Sequence, residues 1–305
     1  MGKTAYIFPG QGAQVVGMGK DLYQNCPAAR DTYNLADEIL GYKISELCFE
    51  GPLEELTLTK NVQPALLATS IAIFKAAEAA NDLPPADFVA GHSLGEYTAL
   101  VAGGSLELWD ALTLVVARAT LMEEAGVANP GGMLALIGAD RELAEKICSL
   151  TGMEVSNLNS PQQVVISGPA ESLETAVQTA AMLGVRKAIP LKVSGAFHSS
   201  LMKPAADGLA KALASVTIKN AAVPLLANSS ARPITSAVEI HHELEAQLLK
   251  PVLWQPSVEY MSEQGVDTFI EFGPGNVLSG LIKRILPEAR LFNVNVIDSL
   301  KQKWS

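Results

Sequence analysis

Charge is scarce in this sequence, and basic charge scarcer still. Only 18% of the 305 residues are Asp, Glu, Lys or Arg, with 22 basic against 32 acidic and a net charge of −10. That balance argues against a general nucleic-acid binder, because affinity for phosphates rests on concentrated Lys and Arg, although a local basic patch stays open. Cysteine is equally sparse. Cys26, Cys48 and Cys148 are odd in number, widely spaced and without CxxC or Cys/His spacing, which fits reduced thiols better than disulfides or a zinc site. No apolar run approaches a bilayer span and no basic-then-apolar leader follows Met1, so a cytoplasmic globular protein without membrane contact is expected. Internal repeats and low-complexity linkers are missing. Phosphate loops are missing too: Gly10-Gln11-Gly12 does not complete GxGxxG because Val15 stands at the third glycine position, and GxxxxGK[ST] occurs nowhere.

What is present is apolar, ordered and long enough for a full core, with 49% hydrophobic residues. Thr4 to Phe8 is strand-like and stops at Pro9-Gly10-Gln11-Gly12. Helical patterns follow at about 20–40 and 63–80, a second strand at 87–91, and further helices near 94–103 and 107–125. Such alternation predicts an α/β fold with a mainly parallel sheet. Between 131 and 193 the order becomes strand (Met133 to Ile137), helix (Arg141 to Leu150), strand (Glu154 to Asn157), strand (Val164 to Ser167), helix (Ala170 to Leu183), strand (Lys187 to Val193). That βαββαβ order is the ferredoxin-like unit. Strand patterns resume at 223–227, 268–272 and 291–296. The expected architecture is therefore a discontinuous, α/β-hydrolase-like large domain, 1–128 with 194–305, into which a small ferredoxin-like α+β domain, 129–193, is inserted. A ligand is expected in the cleft between them.

Gly91-His92-Ser93-Leu94-Gly95 follows the run Phe88-Val89-Ala90 and precedes a helical segment, the pattern of a nucleophile elbow. A glycine-rich turn whose serine merely caps a helix is the alternative. Of the four histidines, His198 is the best placed base. It opens a helix-like segment running to about Ser215, where the dipole would keep the ring neutral; a histidine in a capping turn is the plainer reading. His92 adjoins the serine and is expected to point away, while His241 and His242 sit in a polar helix. Arg118 is anomalous, because its helical neighbours Leu114, Val115, Leu121 and Met122 are all apolar. It needs either an ion-pair partner such as Glu96 or an anionic ligand in the cleft. Backbone N–H groups of Gln11 and Leu94 would form an oxyanion hole if the Gly10–Gly12 loop lies beside the elbow; otherwise Gln11 is a turn residue in water.

Phe8-Pro9-Gly10-Gln11-Gly12, Gly91-His92-Ser93-Leu94-Gly95-Glu96, Arg118, Asn157 to Gly168, Ala196-Phe197-His198-Ser199 and Glu271-Phe272-Gly273-Pro274-Gly275 together resemble the malonyl-CoA:acyl carrier protein transacylases, the acyltransferases of fatty-acid synthesis. The resemblance runs over essentially the whole chain. It implies Ser93 as acylated nucleophile, His198 as general base and acid, Arg118 as clamp for the malonyl carboxylate, and Gln11 and Leu94 as oxyanion-hole amides. Phe197 and Met122 would line the acyl pocket, and Gln247 would orient His198 through its backbone carbonyl. A triad carboxylate would fall among Asp110, Asp140 and Glu171, but the latter two belong to the inserted domain, so a Ser/His dyad is the better reading. Malonyl-CoA is then substrate and acyl carrier protein the partner, with no cofactor, no metal and a monomer expected. Carrier docking on so acidic a chain needs a local positive surface, expected among Arg186, Lys187, Lys192, Lys203 and Lys250. The rivals are a thioesterase, in which water deacylates the serine, and a non-catalytic carrier-binding protein.

Overall fold

The computed structural model describes residues 2–80 and 83–304; Met1 and Ser305, the outer limits expected for the large domain, lie outside the described residues. Strand β1, Lys3–Phe8, alternates its side chains between two apolar clusters. Tyr6 and Phe8 join one, Ala5 and Ile7 the other. Strand β2, Phe88–Gly91, does the same, with Val89 on one face and Phe88 and Ala90 on the opposite one. The period of two therefore buries both faces, as a parallel sheet flanked by helices requires.

The chain then leaves this sheet to build a second. β3 (Gly131–Ile137), β4 (Glu154–Ser160), β5 (Gln163–Pro169) and β6 (Lys187–Pro190) pair antiparallel in the order β4-β5-β3-β6. Helices Arg141–Thr151 and Leu173–Met182 supply the crossovers, which gives the expected βαββαβ unit. The chain returns through β7 (Leu225–Leu226), β8 (Pro233–Ile234), β9 (Val266–Phe272) and β10 (Arg290–Val294) to complete a sheet of order β10-β9-β1-β2-β7-β8. All its pairings are parallel except β7 with β8. The small sheet is tied to the later chain where Val252 N–H donates to the Ser156 carbonyl and Leu158 N–H to the Val252 carbonyl, both at 2.9 Å.

Several expected boundaries move for identifiable reasons. The helix expected over 20–40 is two, Lys20–Asn25 and Pro27–Leu40, because Pro27 forces Cys26 into extended geometry (φ −124°, ψ 116°). Short helices Ile44–Glu50 and Leu53–Thr57 and the antiparallel β8 were not anticipated. The last small-sheet strand stops at Pro190, not Val193. The helix expected from His198 begins only at Lys203, after a 3-10 turn over Ser200–Met202. Helix Thr59–Ala79 is buried on nearly every side, and helix Leu108–Ala128 packs against it, presenting Arg118 inward.

Candidate active site

Parallel pairing sets Phe8 opposite Gly91. The Pro9–Gly12 loop and the elbow therefore lie side by side at the carboxyl ends of adjacent strands, where open α/β sheets bind ligands. The approach is close enough to dictate glycine. A Cβ on Gly91 would lie 1.9 Å from the Gly95 carbonyl oxygen, one on Gly95 2.1 Å from that of Phe8, and one on Gly10 2.3 Å from that of His92. Asn228, just beyond β7, ties the turn down: its Oδ1 accepts the Ser93 N–H at 2.8 Å and its Nδ2 donates to the Gly91 carbonyl at 2.7 Å.

Ser93 Oγ is 2.8 Å from His198 Nε2, and His198 Nδ1 is 2.9 Å from the Gln247 carbonyl oxygen. A carbonyl only accepts, so Nδ1 carries the proton and Nε2 presents its lone pair to the serine. Ser93 (φ 52°) and His198 (φ 56°) are two of the three non-glycine residues with left-handed backbone among those described, the third being Ala231. Such geometry costs about 1–3 kcal/mol per residue and concentrates at functional sites. No helix begins at His198, so the dipole argument for its neutrality falls. Burial, and secondarily the Arg118 charge, lowers the ring from 6.5 to about 3 instead.

Arg118 is buried, and all its hydrogen-bond partners are neutral. It donates to Gln63 Oε1 at 2.6 Å, to Ser93 Oγ at 3.0 Å and to Gln247 Oε1 at 3.0 Å, and its guanidinium carbon lies 5.5 Å from the centre of the Tyr97 ring. The ion pair with Glu96 entertained from sequence does not form; among the described residues Arg118 has no carboxylate partner. Gln247 does more than lend a carbonyl. Its Nε2 donates to the Ser93 carbonyl at 2.9 Å and to Glu96 Oε2 at 2.5 Å, while Glu96 Oε1 accepts the Asn228 N–H at 2.8 Å.

These groups open onto a cleft of about 160 Å³ between the two sheets. Gln11, Leu94, Met122 and Phe197 all line it, and neither the Gln11 nor the Leu94 N–H donates to an acceptor among the described residues. His92 corrects the sequence reading. It lines the cleft instead of pointing away, with Nε2 2.8 Å from Asn159 Oδ1 on β4. Of the basic residues, Arg186, Lys187, Lys192 and Lys250 are exposed, and Lys192 stands between the cleft-lining Leu191 and Val193. Lys203, also exposed, pairs with Asp207 one turn on. No helix among the described residues is long and apolar enough to cross a membrane.

Gln63, Asn228 and Asn159 escaped the sequence reading, and Glu96 was seen only as an ion-pair partner. Gln63 lacked the signal that exposed Arg118, because the turn before it is polar (Thr59, Lys60, Asn61) and only the residues after it, Ala65, Leu66 and Leu67, are apolar. Asn228 and Asn159 act across 135 and 67 residues, with no local pattern to mark them.

Comparison with known proteins finds relatives over nearly the whole chain. The family described as acyl transferase domain matches residues 5–302. The malonyl CoA-acyl carrier protein transacylase of Bacillus subtilis is 47% identical over 303 residues, covering 98% of this chain and 94% of that protein. An acyl-carrier-protein S-malonyltransferase from Bartonella henselae superposes with a TM-score of 0.95 at 40% identity, covering 98% of this chain and 97% of that one. A malonyl-transacylase solved in complex with its type II PKS acyl-carrier protein gives 0.95 at 40% identity, with 99% of each chain covered.

Proposed function

The chain belongs to the acyl transferase domain family, and from that premise we propose that it moves a malonyl group from malonyl-CoA to the pantetheine thiol of an acyl carrier protein by a ping-pong mechanism. The observation that carries the reading is the linear relay Ser93 Oγ, His198 Nε2, His198 Nδ1, Gln247 carbonyl, with Arg118 against the same hydroxyl. A neutral imidazole with its lone pair on the serine is ready to take the proton as Oγ attacks the thioester carbonyl. The new C–O bond forms as the carbonyl electron pair moves onto oxygen, where the unpaired Gln11 and Leu94 amides would receive it. Collapse re-forms the carbonyl, breaks the C–S bond and returns the His198 proton to the departing CoA thiolate. The carrier thiol then gives its proton to His198 and attacks the malonyl-serine ester, and Ser93 leaves with that proton.

A cleft of about 160 Å³ suits a short acyl group. Arg118, buried and with no carboxylate partner among the described residues, favours one ending in a carboxylate, since an uncharged acyl group leaves the cation unpaired. Every proton and charge step has a protein group assigned to it, all from one chain, so the proposal invokes no metal, no redox cofactor and no second subunit. The cleft lies between the two domains inferred at 1–128 with 194–305 and at 129–193. Intact-protein mass spectrometry after mixing with malonyl-CoA tests the scheme: a malonyl adduct is expected on the native protein, lost in Ser93→Ala, and discharged by a pantetheine thiol faster than by water. Discharge by water alone would make it a thioesterase. An adduct surviving Ser93→Ala would reject the nucleophile.

A further inference from the structure

Arg118 presents a problem that the transfer scheme leaves open: a buried guanidinium that pairs with no carboxylate among the described residues is costly, yet the fold keeps it there. It is held by neutral oxygens. Gln63 Oε1 takes one N–H at 2.6 Å, and Gln247 Oε1 and Ser93 Oγ take two more at 3.0 Å. The carboxylate of Glu96 is kept behind the Gln247 amide, whose Nε2 donates to Glu96 Oε2 at 2.5 Å while its Oε1 faces the arginine. Burial, reinforced by Glu243, also pushes the Glu96 carboxyl well above the usual carboxylate range, against the opposing pull of its Asn228 and Gln247 hydrogen bonds and of the Arg118 charge.

Gln63 is the member of this cage outside the reacting groups. It is 1% exposed, sits on helix Thr59–Ala79, and has its orientation fixed from both ends. Arg118 only donates, so Oε1 must face it, and Nε2 is left 3.3 Å from Met122 Sδ, a weak acceptor. A glutamate has the same shape and would reach the same guanidinium, with the opposite consequence for charge. From this we infer that Gln63 is a positioning residue that sets acyl specificity: its neutral carbonyl oxygen aims Arg118 without neutralising it, and so reserves the positive charge for an acyl-group carboxylate. The inference rests on the reading of Arg118 as the substrate clamp.

The test is acylation of Ser93 by malonyl-CoA and by acetyl-CoA, followed by intact mass, on native protein, Gln63→Glu, Gln63→Leu and Arg118→Ala, with a melting temperature for each. Gln63→Glu should lower malonyl loading by roughly 100-fold and leave acetyl loading within about threefold, with a melting temperature not below the native one. A structural role alone would lower both activities together with the melting temperature. Gln63→Leu removes the aiming oxygen but adds no charge, so its malonyl-to-acetyl preference should fall below the native value yet stay above those of Gln63→Glu and Arg118→Ala; a native preference in Gln63→Leu overturns the aiming role. If Gln63→Leu and Arg118→Ala show equal preference, or Gln63→Glu keeps the native preference while Arg118→Ala loses it, the inference is overturned and the clamp stands. If Arg118→Ala keeps the native preference, the clamp fails and the inference with it. Should Gln63→Glu not fold, the comparison of Gln63→Leu with Arg118→Ala decides alone.

Discussion

Lowering the pH is the most direct probe of the Ser93–His198 pair, because the structure makes an unusual demand on it. A free imidazole titrates at 6.5, whereas burial and the neighbouring Arg118 bring His198 down to about 3. At pH 5 a ring of ordinary pKa would be about 3% neutral and a ring titrating near 3 about 99% neutral. Only the neutral ring can accept the serine proton, so the two cases differ by about thirtyfold in loading rate at pH 5. Carboxylic acids ionise at about 4, which leaves the malonyl group mostly charged across the window from pH 5 to 8, and acetyl-CoA run in parallel has no carboxylate to titrate. The assay is rapid-quench acylation of Ser93 read by intact mass. The expected result is a rate that is flat from pH 8 to pH 5; a thirtyfold fall with an inflection near 6.5 would refute the buried-base argument. Stability must be followed alongside. Because the folded-state pKa is depressed, protonation favours the unfolded chain, and the stability His198 contributes is intact above 6.5 and drains away as the pH falls from there towards 3. Melting temperature should therefore decline over the range where loading does not.

Three further outcomes follow from the same geometry. Arg118→Ala removes a charge-assisted contact worth about 2–4 kcal/mol, so malonyl loading should drop by roughly 1.5 to 3 decades. Since Arg118 also donates to Ser93 Oγ and Gln247, acetyl loading should drop as well, by about tenfold or less; equal losses with a large fall in melting temperature would reject the clamp. Charge reversal at Arg186, Lys187, Lys192 and Lys250, which are exposed, should raise the KM for the carrier in a salt-dependent way and leave loading from malonyl-CoA untouched, with Lys203, already paired to Asp207, contributing least. An unchanged carrier KM moves the docking surface elsewhere. Gly95→Ala would set a Cβ 2.1 Å from the Phe8 carbonyl oxygen, a backbone atom with nowhere to go; a loss of about 3 kcal/mol is expected, lowering the melting temperature by roughly 5 °C or more, and a variant that melts like the native protein would show the elbow is not tightly packed.

Much of the fold was legible because its signals are local. The apolar run Thr4 to Phe8 marks a strand, which the fold buries on both faces, the glycines around Ser93 mark a close approach of backbones, and the βαββαβ order reads directly into sheet order β4-β5-β3-β6. Pro27 was a legible break that the helical pattern masked. Failures occurred where the cause is tertiary. His198 is neutral because the molecule closes over it and brings Arg118 near, not because of the residues that follow it in sequence. His92 turns inward because Asn159, in a different sheet, offers it an oxygen at 2.8 Å.

The residues missed at the site are neutral amides, and that has a physical reason. A protein that must bind an anion in a dry cleft needs a cation there before the anion arrives, and holding it with carboxylates would fill the site in advance. Gln63 and Gln247 orient Arg118 through Oε1 atoms at 2.6 and 3.0 Å and bring no charge of their own. Charge flagged Arg118 in the sequence, because a guanidinium among Leu114, Val115, Leu121 and Met122 is conspicuous. Gln63, with Thr59 and Lys60 one turn before it, is easily taken for a polar residue of the helix start. Such a site is therefore better recognised by pairing the two signals: an arginine on one apolar helix, and a glutamine buried on the helix packed against it, as Gln63 is on Thr59–Ala79.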